Sequence, residues 1–361
     1  MKKVFAILLA LAMLLTSVAL ADDVRVAMIT DYGDITDQSF NQTTYEACRD
    51  YAAENGLDFT YYKPTGDSDA ERIAMIEKAI DDGYNVIVMP GYAFGPAIGQ
   101  VEGDYEDVKF IALDVSEGDL NGAALTSNVF CAVYQEELPG YMAGYAAVKM
   151  GYTHLGFLGG MAVPAVIRYG YGYVQGANAA AAELGVDVTV EYVYGNQFYG
   201  DADITAYMDT WYQTMGVQVV FACGGGIYSS AAEAAAKVGG KVIGVDVDQA
   251  ATIDGTYGAD MTITSATKGL AATVKYSLLA VQTGSFEQMG GKVVTLGLVS
   301  GTNLDDNYVG LGKYTQFCET FTNVDYANLV AAMYSGELTV SNDTTAAPEV
   351  AITVNYYGNI K

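Results

Sequence analysis

The residues able to do chemistry gather where apolar runs stop. The run Val24 to Thr30 is followed by Asp31, Gly33, Asp34, Asp37, Ser39, Phe40 and Asn41, and Lys109 to Val115 carries Asp114 near its end. Further on, similar positions hold Gly159-Gly160, Asn196-Gln197-Phe198, Gly224-Gly225-Gly226 and Asp246-Val247-Asp248-Gln249, with Lys268 after them. Asp and Asn after a strand are ordinary helix caps, and glycines there can serve tight turns alone. Six such polar ends are harder to read that way. Carboxylates accept hydrogen bonds from hydroxyls, and Phe faces stack on flat rings. The set therefore suits a neutral, polyhydroxylated ligand that carries a flat ring.

Hydrolytic and metal chemistry fit less well. His154 is the only histidine and opens an apolar strand, where a structural role outweighs that of a base. No GxSxG, HExxH or GxxxxGK[ST] motif occurs. Asp246 and Asp248 could in principle do acid–base work, but they stand two apart on one extended segment, where a solvated or ligand-binding role is simpler. The Asp31, Asp34, Asp37 triplet offers hard oxygens for Ca²⁺ but lacks the twelve-residue EF-hand spacing. No cofactor or metal is expected.

Composition narrows the partners. The chain has 361 residues, 43 acidic against 17 basic, for a formal charge of −26. Nucleic-acid binding rests on Lys and Arg neutralising phosphates, so no nucleic-acid partner is expected. Lys2-Lys3, the apolar run Val4 to Leu15 and Ala19-Leu20-Ala21 form the three parts of a secretory signal peptide over residues 1–21. Its cleavage would leave an exported, extracytoplasmic protein starting at Asp22, with no cysteine there to carry a lipid. Cys48, Cys131, Cys223 and Cys318 permit two disulfides in three pairings. Each lies in apolar sequence, which favours four core thiols.

Elements that could position the polar clusters follow from periodicity. Strands are expected at Val24–Thr30, Leu57–Tyr62, Asn85–Met89, Lys109–Val115, His154–Leu158, Val186–Tyr194, Gln218–Cys223 and Lys241–Val247. Between them fall helices near Phe40–Asn55, around Ile73, Ile76, Ala79 and Ile80, and at 135–150, 164–184, 201–215 and 229–238. A further helix is expected over Ala266–Gln282, with Lys268 in its first turn. Two βαβ series imply two doubly wound α/β lobes around a ligand cleft. Lobe 1 is assigned residues 22–130 with about 258–300 crossing back, and lobe 2 residues 131–257 with about 301–361. Ligands of open α/β sheets bind beyond the carboxyl ends of the strands.

The segment Asp31-Tyr-Gly-Asp-Ile-Thr-Asp37-Gln-Ser-Phe-Asn41-Gln resembles the first-strand motif of the Bmp (basic membrane protein, PnrA-like) family of ABC transporter substrate-binding proteins. Gly159-Gly-Met-Ala-Val-Pro164 with Arg168-Tyr169, Gly172 and Gly176 is similar to its second-lobe signature. Ala222-Cys-Gly-Gly-Gly226, Gly244-Val-Asp-Val-Asp-Gln249 and Lys268 follow in the family's order, so the resemblance runs from about Val24 to Leu298. It implies a periplasmic-binding-protein type I fold that closes on a purine nucleoside (inosine, guanosine or adenosine) and serves an ABC permease, usually as a monomer. By resemblance, Phe40 and Phe198 would sandwich the base while Asp31 and Asn41 read its edge. Asp246 and Lys268 would hold the ribose, with Asp114 and the Gly225 backbone completing the pocket. Gly91-Tyr-Ala-Phe-Gly95 departs from the family pattern, so Tyr92 or Phe94 could alter which ligand fits. A sugar such as ribose, or a ligand-sensing ectodomain, remains the rival reading on the same fold, and a nucleoside-cleaving enzyme is a third.

Overall fold

The structure is a computed structural model that describes residues 24–361. The expected signal peptide, residues 1–21, lies outside the described residues. The first strands and helices are β1 (Arg25–Ile29), α1 (Phe40–Asn55), β2 (Asp58–Tyr62), α2 (Asp69–Asp81), β3 (Val86–Pro90), α3 (Gly95–Val101), β4 (Lys109–Leu113) and β5 (Val129–Tyr134). The alternation restarts with α4 (Glu137–Lys149), β6 (His154–Gly159), α5 (Pro164–Leu184), β7 (Thr189–Tyr194), α6 (Ala202–Asp209), β8 (Val219–Cys223), α7 (Tyr228–Ala236), β9 (Lys241–Asp246), α8 (Ala250–Tyr257) and β10 (Thr262–Lys268). The chain ends with α9 (Leu270–Gln282), β11 (Lys292–Leu296), β12 (Val309–Leu311), α10 (Asn323–Ser335) and β13 (Thr353–Asn359).

Two sheets result. The first runs β11-β5-β4-β3-β1-β2 and the second β12-β10-β9-β8-β6-β7-β13. Every pairing is parallel except that of β12 with β10. Both sheets share one winding: the second strand pairs outside the first, and the third starts on its other side. That reversal opens a crevice at the carboxyl ends of β1 and β3 in one lobe, and of β6 and β8 in the other. The central strands are buried on both faces, as Val26–Ile29, Val86–Met89 and Val219–Ala222 are, and this explains their unbroken apolar sequence.

Three crossings join the lobes, after β5, after β10 and between β11 and β12. They touch one another through the backbone: Gln135 N–H donates to the Leu296 carbonyl at 2.9 Å, Tyr308 N–H to Gly297 at 3.0 Å, and Gly269 N–H to Tyr308 at 2.7 Å. Two expectations about this region are corrected. Residues 258–300 do not cross as one block, because Thr262–Lys268 is a strand of the second sheet; its β-branched Thr262, Ile263, Thr264 and Thr267 favour extended backbone, and the helix starts only after Gly269. The first sheet also continues past residue 130, because Val129–Tyr134 forms β5 beside β4.

Helices α4 and α5 are packed backbone to backbone. A Cβ on Gly140 or Gly144 would strike the Tyr169 or Tyr173 carbonyl, and one on Gly172 or Gly176 would strike that of Glu137 or Tyr141. This close approach requires glycine and fixes the start of α5 against the start of α4, which sets Arg168 beside Glu136. Three cysteines are buried, as expected, but Cys318 is exposed. It sits in a turn where its own backbone N–H donates to the Phe321 carbonyl, so the apolar look of its neighbours does not describe its own side chain.

Candidate functional site

One cavity of about 430 Å³ lies between the two rims of strand ends, within the size range of small-molecule sites. All nine residues singled out from the sequence line it: Asp31, Phe40, Asn41, Tyr92 and Asp114 from the first lobe, and Phe198, Gly225, Asp246 and Lys268 from the second. Phe94 does not; it is fully buried in the first lobe's core, so of the two aromatics in the divergent segment only Tyr92 lines the cavity.

The loop from β1 to α1 builds one polar group. Asp37 caps α1, accepting from the backbone N–H of Ser39, Asn41 and Gln42. Asn41 donates its side-chain amide to Asp31 Oδ1 at 3.1 Å. Burial pushes the Asp31 carboxyl up to about 6, against the pull of the Gly33 N–H and the Asn41 amide. Asp34 pairs with Lys63 at 2.8 Å, and both line the cavity. Among the described residues no group of three or more His, Cys, Asp or Glu side chains is placed to hold a metal ion.

The second polar group surrounds Lys268 at the end of β10. Its ammonium lies 2.6 Å from Asp114 Oδ2, 3.5 Å from Asp246 Oδ1 and 3.7 Å from Glu136 Oε1. The side chains of Lys268 and Glu136 are 3% and 0% exposed. Burial alone would lower the lysine's pKa, but the three carboxylates outweigh it and hold Lys268 firmly protonated. Arg168 closes the group through Nε, 2.6 Å from Glu136 Oε2. Asp114 and Asp246 both adopt left-handed backbone, with φ of 59° and 65°, a conformation non-glycine residues adopt at a cost that recurs at functional sites. Asp114 Oδ1 is buried with no hydrogen-bond partner, an acceptor left for a ligand.

Aromatic surfaces lie between these groups. Lys268 Nζ stands 4.7 Å from the centre of the Phe40 ring. Phe198 sits in the loop after β7, against Gly160 and Gly224, where a Cβ would collide with the ring. The Gly226 N–H donates to the Phe198 carbonyl at 2.8 Å, and Gly225 has a φ of 52°, so the glycine run forms the bed of this aromatic. The lobes also bond directly: Ser39 Oγ donates to Asp246 Oδ2 at 2.5 Å, Gln249 Nε2 to the Gln38 carbonyl at 3.0 Å, and Thr252 Oγ1 to Gln38 Oε1 at 3.0 Å.

Sequence reading missed Tyr32, Glu136 and Arg168 as members of the site. Arg168 stood inside a quoted motif, but its pairing with Glu136 spans 32 positions and carries no local signal. Lys268 was expected in a helix and instead ends a strand. The residues set aside on the sequence are accounted for elsewhere. His154 begins β6, at the end of the strand away from the cleft, and holds buried Glu191 at 2.9 Å. Asp248 accepts from the backbone N–H of Ala250 and Tyr314, and does not line the cavity.

Two doubly wound lobes, three crossings and a polar, aromatic cleft between facing strand ends define a solute-binding protein of the periplasmic-binding-protein type I fold. Solved structures agree on the fold: an ABC transporter solute-binding protein from Aeropyrum pernix K1 is 22% identical with a TM-score of 0.66, covering 89% of this chain and 88% of that one. The arabinose-binding protein AraP from Geobacillus stearothermophilus is 15% identical with a TM-score of 0.56, covering 75% of this chain and 94% of that one. The chain belongs to the Bmp family, the PnrA-like ABC transporter substrate-binding proteins, whose model matches residues 24–331. It is 28% identical over 304 residues to the ABC transporter nucleoside-binding protein BmpA of Lactococcus lactis subsp. cremoris, spanning 79% of this chain and 82% of that one. It is 25% identical over 281 residues to basic membrane protein A1 of Borrelia garinii subsp. bavariensis, spanning 77% and 78%. The protein is thus an ABC transporter substrate-binding protein and not an enzyme. No helix among the described residues is long and apolar enough to cross a membrane.

Proposed function

We propose that this chain works outside the cytoplasmic membrane and captures a purine nucleoside, inosine, guanosine or adenosine, for delivery to an ABC permease. One observation carries the reading: a single cavity joins Phe40 and Phe198 to two separate polar groups, one an amide–carboxylate pair and the other a caged lysine with an unpartnered Asp114 oxygen. A purine ring suits the aromatics and the Asp31–Asn41 pair, and a ribose diol suits Asp114, Asp246 and Lys268. The named nucleoside-binding relative from Lactococcus supports the same ligand class. A 5′-phosphate would meet the carboxylates of Asp31, Asp114 and Asp246 that line the cavity, so nucleotides should be rejected.

Calorimetry and thermal shift of the mature protein with nucleosides, free bases, ribose and nucleotides test this. A ligand at 100 times its dissociation constant adds about 2.7 kcal/mol of stability, which is readily seen. Stabilisation by a nucleoside and not by ribose is the expected result. Phe40→Ala should then cost about 1–3 kcal/mol of nucleoside affinity, the range for a base stacked on an aromatic side chain. Stabilisation by ribose alone would keep the fold and class but overturn the nucleoside.

Asp31 gives the reading a pH signature. Its carboxyl, raised by burial to about 6, accepts from a base N–H much more strongly when ionised, because the neutral acid keeps only a weaker carbonyl acceptor. Inosine affinity should therefore be flat above pH 6 and fall by up to about tenfold per unit below it, and Asp31→Asn should flatten the profile. The folding contribution of the same group runs the other way: a carboxyl raised on folding stabilises the native state most when protonated, and that stability is lost as pH rises from about 4 to 6. Affinity that rises on acidification would show instead that the neutral acid donates to the ligand.

A further inference from the structure

Phe198 is met across the cleft by a residue the sequence reading did not mark. Tyr32, in the β1–α1 loop of the first lobe, has its ring centre 6.0 Å from that of Phe198 with the planes 26° apart. Among the described residues it is the only ring at stacking distance from Phe198, while Phe40 instead has the Lys268 ammonium over its face. The Tyr32 hydroxyl lies 3.4 Å from the Tyr92 hydroxyl in its own lobe and 3.4 Å from Met161 Sδ in the other. Arg72, buried and ion-paired with Asp67 and Asp69, stands 5.9 Å from the ring centre. Tyr32 is thus held from its own lobe and touches the opposite one at two points.

A flat ring between two aromatic planes needs about 3.5 Å on each side, or about 7 Å in all. The 6.0 Å separation leaves no slot between Tyr32 and Phe198, so the two rings contact each other rather than flank a base. We propose that Tyr32 is a specificity-determining residue of the cleft: an aromatic gate that docks on Phe198 when the lobes close and must part from it before a ring-bearing ligand enters or leaves. A ligand contained wholly within the cavity lets the pair meet and gains the contact. A ligand that props the lobes apart forfeits it, so the gate favours compact solutes. Tyr92 serves the gate by pinning the Tyr32 hydroxyl, which gives the divergent Gly91–Gly95 segment a role in selection. The identity of the trapped ligand rests on the nucleoside reading; the gate itself does not.

Single and double variants of the full mature chain and two readouts test the gate. Small-angle scattering of the ligand-free protein reports lobe opening, and stopped-flow displacement reports inosine release. Tyr32→Ala should expand the ligand-free molecule and speed release about three- to tenfold, the range of one aromatic pair. Tyr32→Phe keeps the ring and should leave both readouts closer to wild type. In a Phe198→Ala background, Tyr32→Ala should add nothing, because the partner is already gone. Unchanged scattering and unchanged release in Tyr32→Ala would overturn the proposal, as would slower release. Should the wild type bind no nucleoside, the nucleoside reading fails, and scattering alone decides the gate: expansion supports it and an unchanged radius sinks it.

Discussion

Lys268→Met should cost the fold about 3–5 kcal/mol, the penalty for removing one partner of a buried ion pair, and should abolish ligand binding with it. Among the described residues the ammonium is the one cation shared by Asp114, Asp246 and Glu136. Glu136 keeps Arg168 when the lysine is gone, but Asp114 is left with no cation within ion-pair reach among the described residues. The charges come from different parts of the fold: Asp114 directly follows β4 in the first lobe, Asp246 and Lys268 end β9 and β10 in the second, and Glu136 stands at the crossing after β5. Their repulsion therefore acts directly on lobe closure. Urea unfolding monitored by circular dichroism measures the loss, and Asp114→Asn in the same chain should recover part of it, since a neutral amide no longer needs the cation. If Lys268→Met keeps full stability, the carboxylates are protonated in the native protein and the charged cage does not exist as drawn.

The cage also shows where sequence reasoning stops. Local signals were good guides to local structure. The run from Phe40 ends its helix at Asn55 because Gly56 takes the left-handed conformation, φ 66°, as a C′ glycine does. Pro164 to Leu184 forms one helix, with proline in its first turn and Gly185 beyond its end. The polar strand ends could be assigned to a cleft because parallel sheets present their carboxyl ends to ligands. What failed depended on competition or distance. Ala266-Thr-Lys268 adjoins the apolar, Ala-containing run of α9 and reads as its first turn, yet Gly269 separates them and the β-branched residues upstream win the extended state. Val129–Tyr134 is apolar enough for a strand, but nothing local says which sheet it joins. Glu136 meets Arg168 only where α5 packs on α4, and Tyr32 meets Phe198 only when the two lobes meet, so neither pair leaves a periodic trace.

Asp246→Asn should separate the two halves of the ligand. Asparagine keeps the shape of aspartate and tolerates positive φ better than most residues, which matters at a position with φ of 65°. It removes the charge, and hydrogen bonds to charged groups contribute about 1.5–3 kcal/mol each. If the carboxylate accepts from both ribose hydroxyls, inosine should weaken by about 3 kcal/mol or more, while hypoxanthine, which has no ribose, should bind as it does to the wild type. The fold should survive, because Lys268 retains Asp114 and Glu136, and Ser39 can still donate to the amide oxygen. Calorimetry of both ligands on both proteins gives the comparison, with 2′-deoxyinosine expected to fall between them on the wild type. Equal losses for inosine and hypoxanthine would move Asp246 from the ribose to the base. The strained backbone bears on the same point. Asp114 and Asp246 face each other across the cleft in the same left-handed conformation, one at the end of a strand in each lobe, and Lys268 contacts both. A diol bound between them would take up the free Asp114 oxygen and share Asp246 with Ser39, so the hydroxyls would complete a bridge between lobes that the protein holds only in part by itself.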